Sequence, residues 1–121
     1  MLGPASLSLK VGAPMGSAWT SLILAGLCEV AWPVGLKIAQ SPGRAAAGIP
    51  LAAVGMAVSG WLLYLAQRQI PIGTAYAVWT GIGAAGAATL GMALFHEPAT
   101  PLRLLCIGLV VVGVVGLRLT A

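Results

Sequence analysis

AWTSLILAGLCEVAWPVGL (residues 18–36) is an apolar stretch with one carboxylate, Glu29, near its middle. The hydrocarbon core of a bilayer is about 30 Å thick, and a helix needs roughly 20 residues to cross it. A charged side chain at that depth costs at least ~2.5 kcal/mol, and in membrane proteins such residues usually serve a function. The stretch therefore predicts a transmembrane helix whose acid takes part in the protein's chemistry.

Three further apolar runs follow, separated by segments that carry Pro, Gly or charge. The predicted helices cover residues about 18–38, 46–66, 72–94 and 102–120. The connections are so short that consecutive helices must be antiparallel neighbours. We predict an all-α membrane protein with one four-helix transmembrane domain over residues 17–121. Residues 1–16 are an extension that we expect to be disordered, and translation starts at either Met1 or Met15.

The composition excludes several classes of protein. Of 121 residues, 60% are hydrophobic and 7% charged, which leaves too little polar surface for a soluble globule. The net charge of +4 comes from scattered basic residues that form no stripe for nucleic acid. Cys28 and Cys106 lie in apolar runs without the spacing of a metal site or a disulfide framework. The sequence carries no pattern of an enzyme, metal site or cofactor site.

The basic residues are balanced between the two sides of the membrane. Alternating helices place three on each side: Lys10, Arg68 and Arg118 against Lys37, Arg44 and Arg103. Since the bias in Lys and Arg sets orientation, such a chain can insert both ways up and pair with an inverted copy of itself. The alternative is that the balance arose by chance in a short chain.

Four short helices are too few to shield a carboxylate from lipid, which favours an oligomer. Gly113 and Gly116 share one face of the fourth predicted helix, where two backbones can approach closely. We expect the dimer seam there. The alternative is that these glycines reflect only the general abundance of Gly in membrane helices.

The first helix has one face that outlines a pocket wall. Its members are Leu22, Ala25, Gly26, Glu29, Trp32, Pro33 and Leu36. Small residues precede the acid by one turn, and a large aromatic ring follows it. Pro33 has no N–H to donate to the carbonyl of Glu29, so we expect a kink and a carbonyl left for a ligand or water.

The third helix adds a second face, made of Tyr76, Trp79, Thr80, Gly83 and Ala87. Aromatic rings beside a carboxylate favour a cation. Tyr76 lies near the start of its helix, where an interfacial anchor is the alternative. Ser59 is a hydroxyl among apolar neighbours in the second helix, and when buried it must bond either to Glu29 or to a carbonyl of its own helix.

Low dielectric disfavours the charged form of Glu29. The acid can hold a proton or pair with a cation, but it cannot comfortably do both. Mutually exclusive occupancy is the minimum chemistry of cation/proton antiport.

Three segments carry a resemblance to a known family. They are GLCEVAWPVGLK (26–37), IPIGTAYAVWTGIGAAGA (70–87) and GVVGLRL (113–119). Over residues 17–121 the chain resembles the small multidrug resistance family of bacterial transporters and, within it, the guanidinium-exporter subtype. The resemblance implies an antiparallel, dual-topology homodimer in the bacterial inner membrane. It also implies export of guanidinium or small substituted guanidinium cations in exchange for protons, by alternating access.

The same resemblance implies roles for single residues. Glu29 is the shared site of proton and substrate, Tyr76 takes part in the conformational switch, and Ser59 orients the glutamate. The implied pocket-lining residues are Gly26, Trp32, Ser59, Tyr76 and Trp79, and the implied dimer seam is Gly113 and Gly116. The chain departs from the family at Pro33, where Ala is usual, and in its extension.

Two other functions stay open. One is an exporter of quaternary ammonium and other multidrug cations on the same fold. The other is a non-transporting membrane subunit that assembles with a partner. That subunit would need a basic residue paired with Glu29 inside the membrane, and no Lys or Arg of the sequence lies at that depth. Pairing with a related chain, as a heterodimer, is also open.

Overall fold

The computed structural model describes residues 15–120, and their regular structure is helical. The helices are α1 (Met15–Glu29), α2 (Ala31–Ala39), α3 (Ala45–Gln67), α4 (Ile72–Leu94) and α5 (Pro101–Thr120). Four stretches are long and apolar enough to cross a membrane: Gly16–Ala39, Ala45–Gln67, Ile72–Leu94 and Pro101–Thr120. These stretches lie within two residues of the predicted spans at each end. Most of the predicted extension, residues 1–14, lies outside the described residues.

The first span is interrupted at Val30, between α1 and α2. The amide of Val30 donates to the carbonyl of Leu27 at 3.3 Å, which is a tightened turn three residues back. The backbone angles of Val30, φ −65° and ψ −31°, remain helical. The interruption is therefore a break in the hydrogen-bond ladder. Pro33 explains the break, because its ring removes the bond to Glu29, and the bend of the helix axis that we expect there stays a prediction.

Small residues bring α2 and α3 into backbone contact. A Cβ added at Gly35 would lie 2.7 Å from the carbonyl oxygen of Gly48 and from the amide of Ala52. One at Gly55 would lie 2.8 Å from the Cβ of Ala31. No side chain larger than hydrogen fits at these positions. The buried residues of α3 include Ser59, whose hydroxyl lies against α1.

The core lies toward the other end of the molecule, among α1, α3 and α4. Its buried members are Ala18, Trp19, Leu22, Ala66, Ile70, Ala75 and Val78. The guanidinium of Arg118 lies 4.7 Å over the ring of Trp19. The end of α5 is thus beside the start of α1, as alternating spans require.

α5 lies at the edge of the bundle, and none of its residues is buried. Near its start, Arg103 Nη2 lies 2.6 Å from Glu97 Oε1 in an exposed ion pair. A Cβ added at Gly113 or Gly116 would find no atom within 4 Å. The face on which we predict the dimer seam is therefore open in the single chain.

Candidate functional site

Glu29 is the last residue of α1, and its side chain lies directly against the backbone of α4. A Cβ added at Gly83 would lie 2.5 Å from Cγ of Glu29 and 3.1 Å from its Cβ. The carboxylate is half-buried. The position of this acid in the bundle therefore depends on the missing side chain at Gly83.

Trp32 fixes the direction of the carboxylate. Its indole Nε1 donates to Glu29 Oε1 at 2.5 Å, three residues back along the first span. A hydrogen bond to a carboxylate is roughly twice as strong as a neutral one. Trp32 thus orients the acid while adding no charge to the site.

Ser59 joins three helices through its hydroxyl. Ser59 Oγ donates to the carbonyl of Ala25 in α1 at 2.7 Å and accepts from Nε1 of Trp79 in α4 at 2.8 Å. Glu29 Oε2 lies 3.4 Å from the same oxygen. Neither alternative from the sequence included a carbonyl of another helix, because the packing of α1 on α3 cannot be inferred from periodicity. Ser59 is 0% exposed, and its bond to Ala25 is buried, whereas its contacts with Trp79 and Glu29 are part-buried.

The aromatic residues of α4 lie beside this network. The rings of Tyr76 and Trp79 are 5.3 Å apart and tilted by 49°. Trp79 is half-buried and bonded to Ser59, whereas Tyr76 is 54% exposed. Gly26 is buried and faces α4, since a Cβ there would lie 2.7 Å from the Cβ of Ile82.

A cavity of about 220 Å³ opens beside the acid. Its wall consists of Glu29, Pro33, Thr80, Gly83, Ala84 and Ala87. The sequence placed Thr80, Gly83 and Ala87 on one face of α4, although none was proposed as a pocket residue. Their spacing of three and four residues, opposite the acid, is the signal that could have identified them.

A larger groove of about 510 Å³ lies on the opposite face of α4, against α1 and α5. Its lining is apolar except for Thr89, whose hydroxyl donates to the carbonyl of Ala85 at 2.8 Å. No charged residue lines it. Of these two cavities, the smaller one contains a carboxylate that can pair with a cation.

Known proteins resemble this chain over most of its length. A family model described as Small Multidrug Resistance protein matches residues 17–110. A protein of Salmonella typhimurium (strain LT2) named "Guanidinium exporter" is 48% identical over 104 residues, which cover 86% of this chain and 98% of that protein. A protein of the same name from Yersinia pseudotuberculosis is 47% identical over 104 residues, covering 86% and 99%. The matched part contains the broken first span, α3, α4 and the first half of α5.

Proposed function

The chain belongs to the small multidrug resistance family, and from this premise we propose that it exports guanidinium across the bacterial inner membrane. Its relatives are named guanidinium exporters, and its four apolar helices make it a multi-pass membrane protein. We propose further that Glu29 binds either a proton or the cation, in a dimer that works by alternating access. The family membership and the surroundings of Glu29 support this.

The observation that carries the proposal is a carboxylate held at a cavity by neutral groups only. Trp32 donates to one oxygen, and Ser59 lies near the other. Between residues 15 and 120, the ion pair that the structure shows joins Arg103 to Glu97, outside this site. Glu29 therefore has no internal cation there, and a small cation in the cavity completes its charge pairing.

The same geometry accommodates a protonated acid. Oε1 can continue to accept from Trp32, while the proton resides on Oε2, which is 3.4 Å from Ser59 Oγ. Ser59 uses one lone pair for Trp79 and has a second for this proton. Since proton and cation occupy the same oxygen, binding of one excludes the other. This exclusion is the requirement for exchange.

Three features support an antiparallel homodimer. The basic residues are balanced between the sides, Glu29 is only half-buried in one chain, and the face of α5 with Gly113 and Gly116 is open. An inverted copy would shield the acid and make the two membrane faces equivalent. If the two copies adopt different conformations and then swap them, the site would open first to one side of the membrane and then to the other.

The test is electrical. Purified protein in proteoliposomes on a capacitive membrane electrode is perfused with guanidinium, then with a bulky quaternary ammonium. We expect a guanidinium current in wild type that Glu29→Gln abolishes. Glu97→Gln is the matched control, because Glu97 is the only other acid of the chain and lies in an exposed ion pair. It should keep the current.

Other outcomes would change the assignment. Equal currents from both cations would indicate a broad multidrug exporter on the same fold. A full current in Glu29→Gln would refute the role of the acid. Silence of folded wild-type protein with every cation would indicate a non-transporting subunit.

A further inference from the structure

We propose that the backbone carbonyl of Glu29, released by Pro33, is a second acceptor for the guanidinium cation. The inference rests on the proposed function and adds a backbone group to the site. It makes Pro33 a specificity-determining residue, because it leaves a carbonyl beside the carboxylate with unused acceptor capacity.

The first step is the local backbone. In a continuous helix the carbonyl of Glu29 would accept from the amide four residues on, and that residue is Pro33, which has none. The ladder is indeed interrupted at Val30, directly after Glu29. Backbone carbonyls without a helical partner are tolerated at membrane depth where they line a cavity, and such carbonyls can coordinate cations there. Glu29 and Pro33 both line the same cavity.

The second step is a balance of donors and acceptors. Guanidinium has six N–H bonds, and each one left without a partner in a dry site costs free energy. Oε1 of Glu29 already accepts from Trp32. The remaining lining residues offer the hydroxyl of Thr80 and otherwise apolar groups of Gly83, Ala84 and Ala87. A free carbonyl beside the carboxylate supplies a further acceptor without adding charge.

This arrangement favours cations with many N–H donors over cations with none. A quaternary ammonium can pair with the carboxylate and touch aromatic rings, but it cannot satisfy a carbonyl. The released carbonyl would therefore add to the preference of this chain for guanidinium over a quaternary ammonium.

Infrared difference spectroscopy tests the contact directly. The chain contains only two acids, Glu29 and Glu97. Cell-free synthesis of Glu97→Gln protein with 1-13C-glutamate therefore labels one peptide carbonyl. We expect guanidinium to shift this amide I band to lower wavenumber, since a new hydrogen bond weakens the C=O bond. No shift on guanidinium binding would overturn the inference.

Transport kinetics give a second test. Pro33→Ala restores the N–H that would occupy the carbonyl, and we expect KM for guanidinium to rise roughly tenfold, equivalent to about 1.4 kcal/mol. The maximal current should stay within about twofold. Pro50→Ala is the matched control, because it makes the same change at an exposed site inside α3. Pro33→Gly restores the same N–H and replaces Pro33→Ala if that variant does not fold.

The outcomes separate this inference from the function on which it rests. An unchanged KM in Pro33→Ala, or a maximal current that falls at constant KM, would overturn the carbonyl contact and leave guanidinium export intact. The second pattern would show that the break acts only as a hinge. A wild type that moves no guanidinium would refute the proposed function and this inference with it.

Discussion

Gly83 is the position where the smallest change should have the largest effect on the site. A Cβ there would lie 2.5 Å from Cγ of Glu29, and ordinary van der Waals contact begins at 3.4 Å. In Gly83→Ala the side chain of Glu29 must move by about 1 Å. That movement breaks the 2.5 Å bond from Trp32. A hydrogen bond to a charged group contributes about 1.5–3 kcal/mol.

This energy corresponds to a loss of roughly tenfold to 100-fold in guanidinium transport efficiency. The assay is the initial current on a capacitive membrane electrode, measured as a function of guanidinium concentration. Gly73→Ala is the control in the same helix, since a Cβ there meets no atom within 4 Å. It should transport as wild type does. If Gly83→Ala kept its transport efficiency within about twofold, the carboxylate would not depend on its present position.

Two further substitutions test the packing around the acid. Ser59→Ala leaves the carbonyl of Ala25 and the indole N–H of Trp79 without their buried partner. It should lower the free energy of unfolding in detergent by about 1–3 kcal/mol. An unchanged free energy of unfolding would show that water replaces the hydroxyl. Gly35→Ala forces α2 away from α3 and should cost about 1–3 kcal/mol in the same measurement. Gly60→Ala is the control, because a Cβ there has open space, and it should be neutral or slightly stabilising. Equal stabilities of the Gly35→Ala and Gly60→Ala variants would contradict the close contact between α2 and α3.

Hydropathy and the positions of Pro, Gly and charged residues were enough to predict the helices. The apolar runs end at Pro, Gly and charged residues, and the predicted spans agree with the structure within two residues. Pro33 also predicted the break after Glu29, because a missing N–H acts locally. Both signals depend only on residues close in sequence. Both predictions can therefore be made without knowing how the helices pack.

The partners across helices could not be predicted in the same way. Helical periodicity placed Glu29 and Trp32 on one face, and their bond joins residues three apart. Ser59 instead bonds to Ala25, 34 residues away, because glycines let α2 and α3 pack at backbone distance. The ion pair of Glu97 and Arg103 depends similarly on the path of a loop. A rotation of one helix by a few tens of degrees would change every such contact and leave the sequence pattern the same.

A single chain builds one side of the site and leaves the other open. Trp32 and Ser59 hold the carboxylate on the inner side, while the cavity wall is mostly small residues and Tyr76 is 54% exposed. In a bilayer this would present a phenol and an acid to hydrocarbon, at the cost of their hydrogen bonds to water. In the proposed dimer an inverted copy removes that cost. It also brings two carboxylates together, and their repulsion is relieved by a bound cation or by a proton. In the proposed mechanism the open side of the single chain would serve exchange, because an acid fully paired within its own chain would not bind a substrate.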